Sequence, residues 1–137
     1  MNQNHTPIDR ERLDEMLRIA PFHRWLDLKI RSVTRDQLVI EMPWRDEIVS
    51  NPMIGSAHGG VLASLIDLTG LYTLLAHGVT AKATADLRVD YHRPATSGPL
   101  IATGQVVKAG RHFSVAETSV TGPDGKLLAS GRGAYIC

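Results

Sequence analysis

Apolar and polar positions divide this chain into one long apolar helix and a series of strands. From the His58-Gly59-Gly60 triplet an almost wholly apolar stretch runs to Ala76, with a single carboxylate, Asp67, in its middle. The stretch predicts a helix that starts between His58 and Val61, and Gly78 stands where it should stop. Its length approaches the ~20 residues that cross a bilayer, but an acid at its centre and amphipathic strands around it identify a buried core helix.

Residues 7–20 set Ile8, Met16, Leu17 and Ala20 among Asp9, Glu11, Arg12, Asp14 and Glu15, which predicts a short amphipathic helix ended by Pro21. Residues 28–34 and 37–43 read as the two strands of a hairpin turning at Arg35-Asp36. Residues 50–57 combine types that favour irregular backbone. In residues 84–92, Ala85, Leu87, Val89 and Tyr91 alternate with Asp86, Arg88, Asp90 and His92, the period of a strand buried on one face. Pro94 and Ser97-Gly98-Pro99 break that pattern. Strands at 100–109, 113–121 and 127–136 follow, joined by turns at Gly110-Arg111-His112 and Gly122-Pro123-Asp124-Gly125-Lys126. The expected class is therefore α+β, with a long central helix across one face of a five- to six-stranded, largely antiparallel sheet. A single domain is expected, with a helical segment at 1–27 and the core at 28–137.

Charge narrows the function classes. With 15 basic and 14 acidic residues the formal charge is +1, so no overall field draws the chain to nucleic acid or to a membrane surface. An anionic ligand has to be held locally. Cys137 is the only cysteine and the last residue, which excludes an internal disulfide, and residues 1–12 carry no apolar run of a secretory signal, so a cytoplasmic location is expected. His5, His23, His58, His77, His92 and His112 show no paired ligand spacing, and neither a metal nor another cofactor is expected.

The chemistry concentrates at the long helix. Gly59 and Gly60 at a helix start leave backbone N–H groups open to a ligand oxygen, and an acid inside an apolar helix carries a desolvation cost. Eight residues of helix separate Gly59 from Asp67 by about 12 Å, too far for one small group to touch both. If both serve one reaction they come from different subunits, which predicts an obligate dimer with antiparallel helices and two shared sites. In the other reading, the glycines permit close helix packing and Asp67 caps a backbone group or pairs with a basic side chain.

Asn51, His58-Gly59-Gly60, Asp67 nine positions after the histidine, the run Ala85-Asp86-Leu87-Arg88-Val89-Asp90-Tyr91 with Arg93-Pro94 after it, and Gly110-Arg111 together resemble a known family. From about Ser32 to Tyr135 the chain is similar to hotdog-fold acyl-CoA thioesterases of the phenylacetate-degradation (PaaI-type) branch, related to 4-hydroxybenzoyl-CoA thioesterases. The resemblance implies that Asp67 is nucleophile or general base, that the Gly59 N–H polarises the thioester carbonyl, and that Asn51 helps hold that carbonyl or the attacking water. It further implies that Thr84 orients the water or Asp67, and that His58 supports the helix start. Relatives commonly carry the asparagine six residues before the histidine, whereas Asn51 is seven before and Pro52 stands at the matching position.

A small, medium or aromatic acyl-CoA is the implied substrate, and a homodimer, paired into a dimer of dimers, the implied assembly. Arg88, Arg93, Lys108 and Arg111 lie at strand ends or on polar strand faces where they can meet the phosphates of CoA. Two other functions fit the same residues. A hotdog hydratase or dehydratase would use His58 with Asp67, and a non-catalytic acyl-CoA-binding module would keep the pocket without turnover.

Overall fold

A computed structural model describes residues 8–137, so His5 and Pro7 lie outside the described residues. Helix α1, Arg10–Leu17, starts where the Asp9 side chain accepts the Arg12 N–H at 2.8 Å. It stops earlier than its periodicity predicts. Pro21 opens a second helix, α2, Pro21–Trp25, because its fixed φ and missing N–H suit the first helical position. The hairpin follows as β1, Lys29–Val33, and β2, Gln37–Met42. Where irregular backbone was expected, β3, Val49–Asn51, pairs with β4, Ser56–Ala57, in a small separate sheet.

Helix α3 spans Gly59–His77, and Gly78 ends it in the left-handed region at φ 99°, as the sequence predicts. The remaining strands are β5, Ala83–Tyr91; β6, Leu100–Lys108; β7, Phe113–Thr121; and β8, Leu127–Ile136. They form one sheet in the order β1-β2-β6-β7-β8-β5 with every pairing antiparallel. The expected α+β arrangement is present.

Helix α3 passes the length and hydropathy test for a membrane span, but most of it is buried inside the protein. Leu62, Leu65, Ile66, Leu68, Tyr72 and Ala76 pack against Leu38, Ile40 and Met42 of β2, Leu100 and Ala102 of β6, and Leu128 and Ala129 of β8. Leu13 and Leu17 of α1 join the same core. Helix and sheet approach so closely at Gly104 that a Cβ there would lie 2.1 Å from the Thr73 Oγ1.

Strand β5 closes one edge of the sheet, and only Leu87 and Val89 within it are shielded from solvent. Its pairing with β8 slips between Thr84 and Asp86, so Ala85 is an extra residue. Simple alternation would put Ala85 on the core face with Leu87 and Thr84 on the other. The bulge reverses this locally: Ala85 is exposed, and Thr84 shares the helix-facing side with Leu87 and Val89.

Gly78→Ala is expected to cost about 1 kcal/mol or more, because a side chain is strained at positive φ. Urea unfolding checks this, with a lowered midpoint and an unchanged m-value.

Candidate active site

The start of α3 has an unequal set of amides. His58 is the N-cap, and its Nδ1 accepts the Gly60 N–H at 2.8 Å. The Val61 N–H is taken by the His58 carbonyl at 2.9 Å. The Gly59 N–H, in contrast, has no acceptor among the described residues. Helix starts favour anions through such amides and through the aligned peptide dipoles. The donor open to a ligand is therefore Gly59, while Gly60, equally a candidate by sequence, is committed to the cap.

Tyr91, at the end of β5, holds this turn in place. Its hydroxyl donates to the Gly59 carbonyl at 2.6 Å, and a Cβ on Gly59 would meet its ring at 3.3 Å. Although 54% exposed, Tyr91 is therefore anchored at its tip. The other end of the strand holds the acid: the Thr84 hydroxyl donates to Asp67 Oδ1 at 2.6 Å, a length typical of a charge-assisted bond. Asp67 is half-buried on α3. Its second oxygen has no protein donor among the described residues. Tyr135 of β8, fully buried, donates its hydroxyl to the Asp67 main-chain carbonyl at 2.8 Å. Burial raises the Tyr135 phenol pKa, and the Asp67 carboxylate raises it further.

Gly59 and Asp67 thus sit on one helix, about 12 Å apart along its axis, each tied to a different end of β5. Asn51 ends β3 in an exposed turn, where its Oδ1 accepts the Met53 N–H at 3.1 Å and its side-chain amide stays free to donate. The bulge in that hairpin falls between Val49 and Asn51, upstream of the asparagine.

The basic candidates separate into groups. Arg93 lines a cleft of about 360 Å³ together with Thr96, Ser97, Asp124 and Lys126, just beyond the Tyr91 end of β5. Lys108 and Arg111 are exposed around the β6–β7 turn, at the Thr84 end of the sheet. Arg88 lies apart from both groups. It faces a polar groove on the outer side of the sheet, 3.7 Å from Asp90, away from α3.

Sequence reasoning left Tyr91, Lys126 and Tyr135 out of the site. One signal for Tyr135 was available in the small residues of Gly131-x-Gly133-x-Tyr135 and in Gly70 inside a helix, where glycine costs about 1 kcal/mol relative to alanine. Such glycines mark a close approach. Among the described residues, no cluster of three His, Cys, Asp or Glu side chains is arranged to hold a metal ion.

Residues 54–129 match the family model described as the thioesterase superfamily. A solved thioesterase-superfamily protein is 40% identical, with a TM-score of 0.85 over 91% of this chain and 95% of its own. The Escherichia coli PaaI protein, from the phenylacetic acid degradation operon, is 27% identical with a TM-score of 0.81, covering 90% of this chain and 88% of its own. Acyl-coenzyme A thioesterase 13 of Mus musculus is 28% identical over 127 residues, 90% of this chain and 89% of that protein. A long central helix against a six-stranded antiparallel sheet is the hotdog fold, and together with these relatives it defines a thioester hydrolase. The chain belongs to the thioesterase superfamily.

The raised Tyr135 and Tyr72 pKa values carry a stability consequence. Both phenols ionise at higher pH in the folded protein than in the unfolded chain, where they titrate near pH 10, so their contribution is intact below about pH 10 and is lost as pH rises from there towards the higher folded values. Urea midpoints should fall between pH 9 and pH 11 (a range set by the usual tyrosine value of about 10), and fall less in Tyr135→Phe.

Proposed function

We propose that this protein hydrolyses an acyl-CoA thioester, of small to medium or aromatic acyl group, to the free acid and CoA, in sites shared between two protomers. The observation that carries this reading is the double anchorage on β5: Thr84 on Asp67 at one end, Tyr91 on Gly59 at the other. An open sheet edge is a ready pairing surface, and β5 offers one nine residues long. Antiparallel self-pairing centred near Leu87 and Arg88 sets Thr84 opposite the partner's Tyr91. Asp67 then comes beside the partner's Gly59. The same symmetry brings the turn bearing Lys108 and Arg111 toward the cleft that contains the partner's Arg93 and the partner's Lys126.

In such a site the thioester carbonyl oxygen accepts the Gly59 N–H, which stabilises the charge that grows on it. Thr84 occupies one oxygen of Asp67 and orients the other toward the carbonyl. Through that oxygen Asp67 either takes a proton from water, whose oxygen adds to the carbonyl carbon, or attacks that carbon itself. Collapse breaks the C–S bond and the departing thiolate takes a proton, from Asp67 on the first route and from water on the second, to give CoA; on the second route water then hydrolyses the aspartyl–acyl anhydride to the free acid and restores the carboxylate. Asn51, with its free amide, is a second donor for the carbonyl or the water, and His58 maintains the helix start. A ring already committed as an N-cap favours hydrolysis over a hydratase that would need His58 as its base. Similarity to the PaaI structure and to acyl-coenzyme A thioesterase 13 supports the acyl-CoA assignment.

Asp67→Asn is expected to lower kcat by about 10²-fold or more while the dimer persists by light scattering. Gly59→Pro removes the open N–H at a position where proline suits the helix, with a comparable loss expected. Mixing the two inactive variants tests sharing directly. Random reassortment leaves half of the dimers mixed, each with one intact site, so about a quarter of wild-type turnover returns if sites span two chains. No recovery among exchanged dimers would confine each site to one chain. Arg93→Ala and Lys126→Ala should each raise KM for the acyl-CoA about tenfold with kcat nearly unchanged.

A further inference from the structure

We propose that Tyr135 is a positioning residue for this reaction: its hydroxyl, set between α3 and β8, fixes the main chain of Asp67 so that the carboxylate points at Thr84 and the thioester. The inference rests on the catalytic reading of Asp67 given above. Tyr135 is fully buried, and its hydroxyl donates to the Asp67 carbonyl at 2.8 Å. The seat for that hydroxyl is cut from two elements. A Cβ on Gly70 of α3 would lie 2.2 Å from the hydroxyl oxygen, and a Cβ on Gly133 of β8 would lie 2.3 Å from it. Glycine inside a helix or a strand is unfavourable relative to alanine, so two elements each bear a cost at the point where the hydroxyl reaches the backbone.

Tyr135 and Thr84 are also register partners in the β5–β8 ladder. Neighbouring residues on adjacent strands therefore grip one helical residue, Thr84 by its carboxylate and Tyr135 by its carbonyl. The carboxylate has rotatable bonds between itself and the helix. Its direction is consequently set only when both the main chain and one oxygen are held, and misplacement of a reacting group by about 1 Å can cost orders of magnitude in rate. Burial and the neighbouring Asp67 charge raise the phenol pKa, so it is a donor throughout the neutral range. Tyr135 touches no reacting atom and acts through Asp67.

The test compares hydrolysis of hexanoyl-CoA and benzoyl-CoA by Tyr135→Phe, Thr84→Val, their combination, and Asp67→Asn. Tyr135→Phe should lower kcat about tenfold with KM within about twofold, the signature of misaligned chemistry rather than lost binding. The combined Thr84→Val and Tyr135→Phe variant should fall no more than about threefold below the worse single variant, because both side chains align the same carboxylate. A further variant separates misalignment from simple unfolding. In Gly70→Ala with Tyr135→Phe, the new methyl takes the space the hydroxyl left, 3.0 Å from the ring Cζ, so the bond is lost without a cavity once the ring gives by a few tenths of an ångström, and the same fall in kcat is expected.

Wild-type kcat in that filled variant, beside an inactive Asp67→Asn, would overturn the positioning role alone. So would a fully multiplicative loss in the combination with Thr84→Val, which would assign Tyr135 to the fold in general. Undiminished hydrolysis by Asp67→Asn would instead remove the catalytic reading on which this inference stands.

Discussion

Covering an α-helix that is apolar on nearly every side is the constraint from which the rest of this structure follows. Each Leu or Ile of α3 withdrawn from water contributes about 1.5–3 kcal/mol, so a sheet on one side and α1 on another enclose it together. The cover ends at β5, the edge strand of the sheet. Asp67 lies on the helix beside that edge, where a carboxylate keeps access to water and can still be gripped by Thr84 and, through its backbone, by Tyr135. A residue that would be a liability in the middle of the core becomes tolerable, and usable, at its seam.

Most of the fold was legible because it is written in local periodicity. The long helix, its glycine stop, the first hairpin and the last three strands lie within a residue or two of the positions their patterns predict. What escaped depends on partners far away in the chain. Pro21 reads as a terminator, yet the backbone after it turns back into α2, since proline is as well suited to starting a helix as to ending one. The β3–β4 pair is too short for any alternation to register. The bulge at Ala85 has no local signature at all, and it decides which face of β5 carries Thr84.

The candidate site was half legible for the same reason. His58, Gly59 and Asp67 announce themselves by being costly or unusual where they stand, whereas Tyr91 and Tyr135 resemble ordinary strand aromatics until the helix is laid beside them. The structure also separates roles that residue types and spacing leave merged. Of the adjacent glycines one amide is free and the other is held by His58, and of the arginines proposed for CoA only Arg88 lies on the outer face of the sheet. Solved relatives at well under half identity share this architecture, as expected when a core needs pattern and volume more than particular side chains. Fold alone therefore says little about the acyl group.

The cap on α3 also fixes how the His58 ring meets the helix start. An amide can only donate, so the His58 Nδ1 facing Gly60 must be unprotonated, and the ring is the neutral tautomer with its hydrogen on Nε2. Loss of that one acceptor would thus release the Gly60 amide and loosen the turn that carries Gly59, without touching Asp67.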